Sequence, residues 1–177
     1  MDFCSIASGS SGNCTYTGTD HTALLVDAGV SARQIEKGLK SIDRTATDID
    51  GILVTHEHSD HIRGLGVLSR RYGIPIYGTK GTLNAIANCS SLGTIDAGLY
   101  REIHVDEDFQ VGDVTVHPFE IPHDAAQPSA YRISHEETSV AVVTDLGVFS
   151  DYIIENMKGL DAVLLEANHD IRMLQAG

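Results

Sequence analysis

The chain has 177 residues, 42% hydrophobic and 21% charged, which suffices to bury one core and is short for two ordinary domains. Its formal net charge of -13 argues against nonspecific attraction to nucleic acid, because an acidic body repels phosphates over a Debye length of ~8 Å. A single domain over residues 1–177 is the expectation.

In chain order, Thr22–Val26 reads as a short buried strand, followed by a helix opening near Ser31 with Ile35 and Leu39 four apart. Gly51–Thr55 reads as a second buried strand. The pattern then predicts a helix from Asp60 or His61 through Leu65 and Leu68 to Tyr72, a strand at Ile74–Tyr77 and a helix over Thr82–Ala87. From Val105 onward the texture changes to antiparallel alternation: Phe109–Val111, a turn at Gly112-Asp113, Val114–His117 and Tyr131–Ile133. Buried strands return at Ser139–Thr144 and Ala162–Leu165, with a helix expected over Val148–Met157 between them. Strands with helices between them, plus hairpins, indicate a layered α/β or α+β domain. Ser8–Gly12 is a small-residue turn whose amides can approach an anion, and equally a plain connection between strands.

No apolar run reaches the roughly 20 residues that a membrane helix requires, and Met1–Ser5 lacks a basic region leading into an apolar one, so no membrane partner and a cytoplasmic location are expected. Cys4, Cys14 and Cys89 are irregularly spaced and suggest neither a disulfide framework nor a thiolate metal site. Charge is uneven: residues 33–80 carry eight of the twelve basic side chains against six acids. That leaves open a basic rim beside a cleft or scattered solvated helix faces.

The chemistry concentrates in His56-Glu57-His58-Ser59-Asp60-His61, directly after the strand Gly51–Thr55. Residues two apart in extended chain point the same way, so His56 and His58 can converge on one ion. Asp60 and His61, at the turn into a helix, can face a second. Three imidazoles and a carboxylate within six residues are costly to bury without cations, and a metal resolves that cost where a solvated loop would not need to. The helical His-Glu-x-x-His zinc motif fails because position 60 is Asp, so Glu57 is not assigned as a general base.

The segment matches in full the His-x-His-x-Asp-His signature of the metallo-β-lactamase superfamily, and the chain resembles that family at further positions. These are Asp27 after the first strand, His123 in Ile121-Pro122-His123-Asp124-Ala125, and Asp145 in Val143-Thr144-Asp145. The motifs Ser8-Gly9-Ser10-Ser11-Gly12-Asn13-Cys14-Thr15 and Leu165-Glu166-Ala167-Asn168-His169-Asp170 are similar to those of the YycJ (WalJ) branch, described as single-domain DNA exonucleases.

The resemblance implies an α+β, four-layer αββα sandwich holding two divalent ions, zinc or manganese. His56, His58 and His123 would hold one ion, Asp60 and His61 the second, with Asp145 between them and Asp27 orienting the loop. Asp60 would be the catalytic residue, handling the proton of a hydroxide held between the ions. DNA would be the substrate, degraded in the 5′-to-3′ direction. Ser11, Asn13, Asn168 and His169 would stand near the substrate; for Asn168 and His169 a capped helix start is the alternative. His21, His104, His117 and His135 fall outside the motifs and are read as surface or strand-face residues.

The family supplies one more histidine from a carboxyl-terminal loop, whereas Ile171–Gly177 contains none. The expectation is a chain truncated at its carboxyl end, with an incomplete second half short of strands, helices and a ligand. Its second metal site would be weak, and a homo-oligomer would be one way to cover the exposed edge. Two other functions fit the same motif: hydrolysis of a small thioester or lactam, and a metal-binding regulatory module without turnover.

Overall fold

The computed structural model describes residues 1–166. Asp2–Ala7 (β1), Cys14–Gly18 (β2), Ala23–Val26 (β3), Gly51–Leu53 (β4), Ile76–Thr79 (β5) and Tyr100–Ile103 (β6) form one sheet in that spatial order. β1, β2 and β3 pair antiparallel, and β3 through β6 pair parallel. A second sheet contains Phe109–Val111 (β7), Val114–Glu120 (β8), Ser129–His135 (β9), Thr138–Val143 (β10) and Ala162–Leu165 (β11), ordered β11-β10-β9-β8-β7. All its pairs are antiparallel except β10 with β11.

Parallel neighbours need crossover connections, and helices supply them. Ala32–Lys40 (α1) joins β3 to β4, Ser59–Ile62 (α2) and Leu65–Tyr72 (α3) join β4 to β5, Lys80–Ala87 (α4) joins β5 to β6, and Asp151–Asn156 (α5) joins β10 to β11. α1 starts where Ser31 caps it: the Ser31 hydroxyl accepts from the Gln34 amide while the Gln34 side chain reaches back to the Ser31 amide.

Because successive strand side chains point to opposite faces, each inner strand divides its residues between two layers. Ala23, Leu25 and Ile52 pack outward with Ile35, Leu39, Leu65 and Leu68 of the helices. Leu24, Val26 and Leu53 pack inward with Val116, Tyr131, Ile133 and Val142 of the second sheet. Beyond that sheet, Ala141 and Val143 meet Ile153 of α5. Three cores thus separate four layers, helix, sheet, sheet and helix. Fully burying each Leu, Val or Ile contributes roughly 1.5–3 kcal/mol. The Tyr131 hydroxyl donates to the Val54 carbonyl at 2.7 Å and ties the sheets together.

Several elements depart from the sequence reading. The helix expected from Asp60 to Tyr72 is broken at Gly64, whose amide donates to the Ala28 carbonyl. A Cβ there would lie 2.4 Å from the Val30 carbonyl, so backbone crowding redirects the chain. The helix expected over Val148–Met157 contracts to Asp151–Asn156 because Ser150 caps Ile153. β4 is shorter than Gly51–Thr55 because the Thr55 amide leaves the ladder for a side chain of the site. β1, β2 and β6 were not anticipated, and Ser8–Gly12 is the turn between the first two. The second half carries five strands and one helix among the described residues, with Ile154, Val163 and Leu165 left 46%, 44% and 41% exposed. No helix among the described residues is long and apolar enough to cross a membrane.

Three backbones interlock beneath the site. The Asn13 amide donates to the Asp60 carbonyl and the Gly29 amide to the Asn13 carbonyl, both at 2.7 Å. A Cβ on Gly29 would lie 1.6 Å from the Asp60 oxygen. We therefore expect Gly29→Ala to cost about 1–3 kcal/mol or more, as overpacking does, in the urea midpoint. Gly147→Ala, whose Cβ would meet only the Pro122 carbonyl at 3.4 Å, should change it by less than about 0.5 kcal/mol.

Candidate metal centre

The chain ends leaving β3, β4, β8 and β10 converge at one edge of the sandwich, and α2 closes the group. Asp27 organises it. Its carboxylate is buried, 1% exposed, and accepts from the Thr55 amide at 2.9 Å and the Thr55 hydroxyl at 2.8 Å. The Nδ1 of His61 lies 2.8 Å from Asp27 Oδ2, which makes Nδ1 the donor and turns Nε2 away from Asp27. That Nε2 is 2.9 Å from Asp145 Oδ2, 3.1 Å from the Asn13 side-chain amide and 3.8 Å from Asp60 Oδ2.

The same logic fixes His56. The Thr55 hydroxyl, having donated to Asp27, accepts from His56 Nδ1 at 3.0 Å, which leaves Nε2 as a bare lone pair. His56 is fully buried and its Nε2 has no hydrogen-bond partner among the described residues; Asp145 Oδ2 is 3.7 Å away. His58 and His123 complete a ring: His123 Nε2 is 3.2 Å from His58 Nδ1, and both rings stand edge-on to His56 with centroids at 4.6 Å.

Two donor groups result, His56 with His58 and His123, and His56 with His61 and Asp145, the ligand atoms of each lying within 4.8 Å of one another. With Nδ1 of His56 engaged by Thr55, Nε2 can serve one group at a time. Burial, then the neighbouring His61, His123 and His58, hold His56 neutral by pushing its pKa down to about 2. For His61 burial opposes the charge, but Asp27 and Asp145 overcome it and push the pKa up to about 10. The hydrogen bond from His61 in turn pulls Asp145 down to about 2. Burial also lowers His123. A neutral imidazole with an unmet buried lone pair, facing two more imidazoles and a carboxylate, is the donor set of a transition-metal site.

A model of the beta-lactamase superfamily domain matches residues 22–175. The chain belongs to the beta-lactamase superfamily. This superfamily domain is 42% identical over 177 residues to the exodeoxyribonuclease YycJ of Bacillus anthracis, covering 100% of the chain and 66% of that protein. It is 41% identical over 172 residues to the exodeoxyribonuclease WalJ of Streptococcus pneumoniae serotype 2, covering 97% and 64%. The chain thus spans just under two thirds of the length of these relatives. The Zn(2+)-bound PqqB of Methylobacterium extorquens superposes with a TM-score of 0.73 at 21% identity, over 93% of this chain and 64% of that one. The superfamily domain has the α+β metallo-β-lactamase fold, which implies divalent metal, and its clustered donors fit one.

Of the residues singled out from sequence, the superfamily domain gathers His56, His58, His61, His123, Asp145, Asp27 and Asn13 within hydrogen-bond or ring contact of one another. Asp60 sits at the mouth, its side chain 32% exposed. Ser11 lies on the exposed turn, and its carbonyl accepts from Arg63. Asn168 and His169 lie outside the described residues. His117 bridges Asp108 and Asn156, and His135 contacts the Asp113 carbonyl, so both serve the second sheet.

Sequence reasoning missed the residues that hold the ligand candidates in place. Thr55 orients both Asp27 and His56. Glu57 accepts from the Ala126 amide at 2.7 Å and pins the segment carrying His123, whose far end is held by the Ser129 amide on the Thr55 carbonyl. Only the position of Glu57 between two ligand candidates signalled this. Glu57→Ala should weaken metal affinity by about tenfold, the lower end for lost orienting partners, and Glu57→Gln, which keeps the acceptor, should restore most of it; a competition titration with a chelator reads both.

An ion held through His61 Nε2 would have to discharge that ring. Between its unfolded value of 6.5 and about 10 the metal-free folded domain keeps His61 protonated, so binding near pH 7.5 releases close to one proton and affinity falls as pH falls. The binding enthalpy should therefore vary with the ionisation enthalpy of the buffer. A buffer-independent enthalpy would show His61 already neutral. In the metal-free domain the pairing contributes stability fully below about pH 6.5, and that contribution fades as pH rises through about 10.

Proposed function

We propose that this domain is the catalytic body of a DNA exonuclease that uses two divalent ions, zinc or manganese, to hydrolyse phosphodiesters from the 5′ end. The observation that carries the reading is the pair of donor groups around His56, with Asp60 at the mouth, in a chain whose whole length aligns with 66% of an exodeoxyribonuclease. In this assignment His56, His58 and His123 hold one ion. His61 and Asp60 would hold the other, with Asp145 shared by the two.

When bound, such ions lower the pKa of a coordinated water and polarise a phosphoryl oxygen. The rest falls to the side chains. Asp60, partly exposed, would orient such a water and take its proton. Asp145 holds its negative charge between the two groups and brings no proton to the site near neutral pH. Asn13, whose side-chain amide lies 3.1 Å from His61 Nε2, would donate to a phosphoryl oxygen. Asp27 keeps His61 in the tautomer that presents Nε2.

The test is degradation of single-stranded DNA labelled separately at each end, with manganese or zinc supplied. The 5′ label should be released first, and Asp60→Ala should lower the rate by about 10²–10⁴-fold with the thermal transition retained. Metal-dependent hydrolysis of a thioester or lactam without shortening of DNA would overturn the nuclease reading. Metal binding with no turnover of any of these would leave a regulatory module.

A further inference from the structure

An acidic body that acts on a polyanion needs cations placed where the chain of phosphates leaves the site, and the arginines divide sharply on this point. Arg44 and Arg71 pair with Asp2 and Glu36. Arg70, Arg101 and Arg132 donate to the carbonyls of Leu92, Gly98 and Lys158 at 2.6, 2.6 and 2.9 Å. Arg63, like these three, meets a backbone carbonyl and no carboxylate among the described residues, and it is exposed; what sets it apart is its place three residues after Asp60.

Arg63 is the C-terminal cap of α2, three positions after Asp60, and residues three apart on a helical turn share a face with Cβ atoms about 5–6 Å apart. Its guanidinium does not turn to Asp60. It reaches across to the Ser11 carbonyl at 3.4 Å, on the exposed turn whose next residues are Gly12 and Asn13. Asn13 in turn touches His61. One guanidinium N–H is thus engaged, and the exposed group has further donors among its five. Arg33 follows the backbone that packs against the residue after Arg63: a Cβ on Gly64 would lie 2.4 Å from the Val30 carbonyl and 3.2 Å from the Ala32 amide.

We propose that Arg63, backed by Arg33, forms a phosphate subsite for the nucleotides next to the scissile bond, so that the nucleic-acid strand leaves the metal centre over the Ser8–Gly12 turn. The inference rests on the nuclease reading and names the part of the surface that makes the substrate a polymer. A guanidinium fork suits a phosphodiester because it offers paired donors in one plane to two oxygens. Asp60 and the donor groups act on any phosphodiester, whereas Arg63 acts only on one with neighbours.

The experiment compares wild type, Arg63→Gln and Arg33→Gln, each metal-loaded, on single-stranded DNA and on bis(p-nitrophenyl) phosphate, which has no flanking phosphate. Arg63→Gln should lower the ratio of DNA to small-diester kcat/KM about tenfold, as expected for a lost charged hydrogen bond. It should also make the dependence of log kcat/KM on log salt shallower by about 0.7 for a single strand. Arg33→Gln should move both in the same direction by less. An Arg63→Gln variant that degrades DNA with the wild-type ratio and salt slope overturns the subsite. So does one that loses both substrates equally, since Arg63 would then support the metal centre. A wild type that cleaves the small diester but never DNA overturns the nuclease reading and the subsite with it.

Discussion

The carboxylate of Asp27 is the constraint on which the site depends. Burying an ionised carboxylate costs several kcal/mol unless its oxygens are met, and Asp27 meets them with the Thr55 amide, the Thr55 hydroxyl and His61 Nδ1. Each bond has a directional result. The amide ends β4 at the point where His56 must leave the sheet. The hydroxyl, committed as donor, can only accept from His56, which fixes that ring's tautomer. The imidazole bond leaves His61 Nε2 as the atom that faces Asp145. One buried charge thereby sets the orientation of two ligand candidates and the direction of a strand end.

The layering makes this arrangement rigid. Parallel strands β3 and β4 end side by side, so Asp27 and Thr55 are neighbours by register, while His123 and Asp145 arrive from the other sheet. Relative slippage of the sheets would separate the ligand candidates. The interdigitated layer of Leu24, Val26, Leu53, Val116, Ile133 and Val142 resists slippage, and Tyr131 adds a hydrogen bond from β9 to the segment leaving β4. Interiors packed at crystal density transmit such restraint because they have few alternative arrangements.

Much of this was legible in the sequence where the signal is local. His56, His58, Asp60 and His61 lie within six residues, and the strand before them and the turn after them are plain in the hydrophobic pattern. His123 and Asp145 were legible only through resemblance, since nothing in the residues themselves separates a ligand from a surface histidine or a turn aspartate. The supporting bonds were illegible because their partners are remote: Asn13 meets His61 across 48 positions and Glu57 meets Ala126 across 69. β2 was hidden by composition, as Thr15 and Thr17 look solvated yet are 3% and 0% exposed. The break at Gly64 had a visible glycine, but its cause is the Val30 backbone pressed against it, which periodicity does not encode.

Asp27 and Asp145 share a feature that bears on which residues the two positions accept. Both have left-handed backbones, with φ of 62° and 54°, in a region that admits asparagine, aspartate and glycine readily and most other side chains at a steric cost. Of those three, aspartate alone carries charge. Conformation and electrostatics thus favour the same amino acid independently: asparagine would keep the turn and give up the anion, and glycine would keep neither side-chain oxygen nor charge.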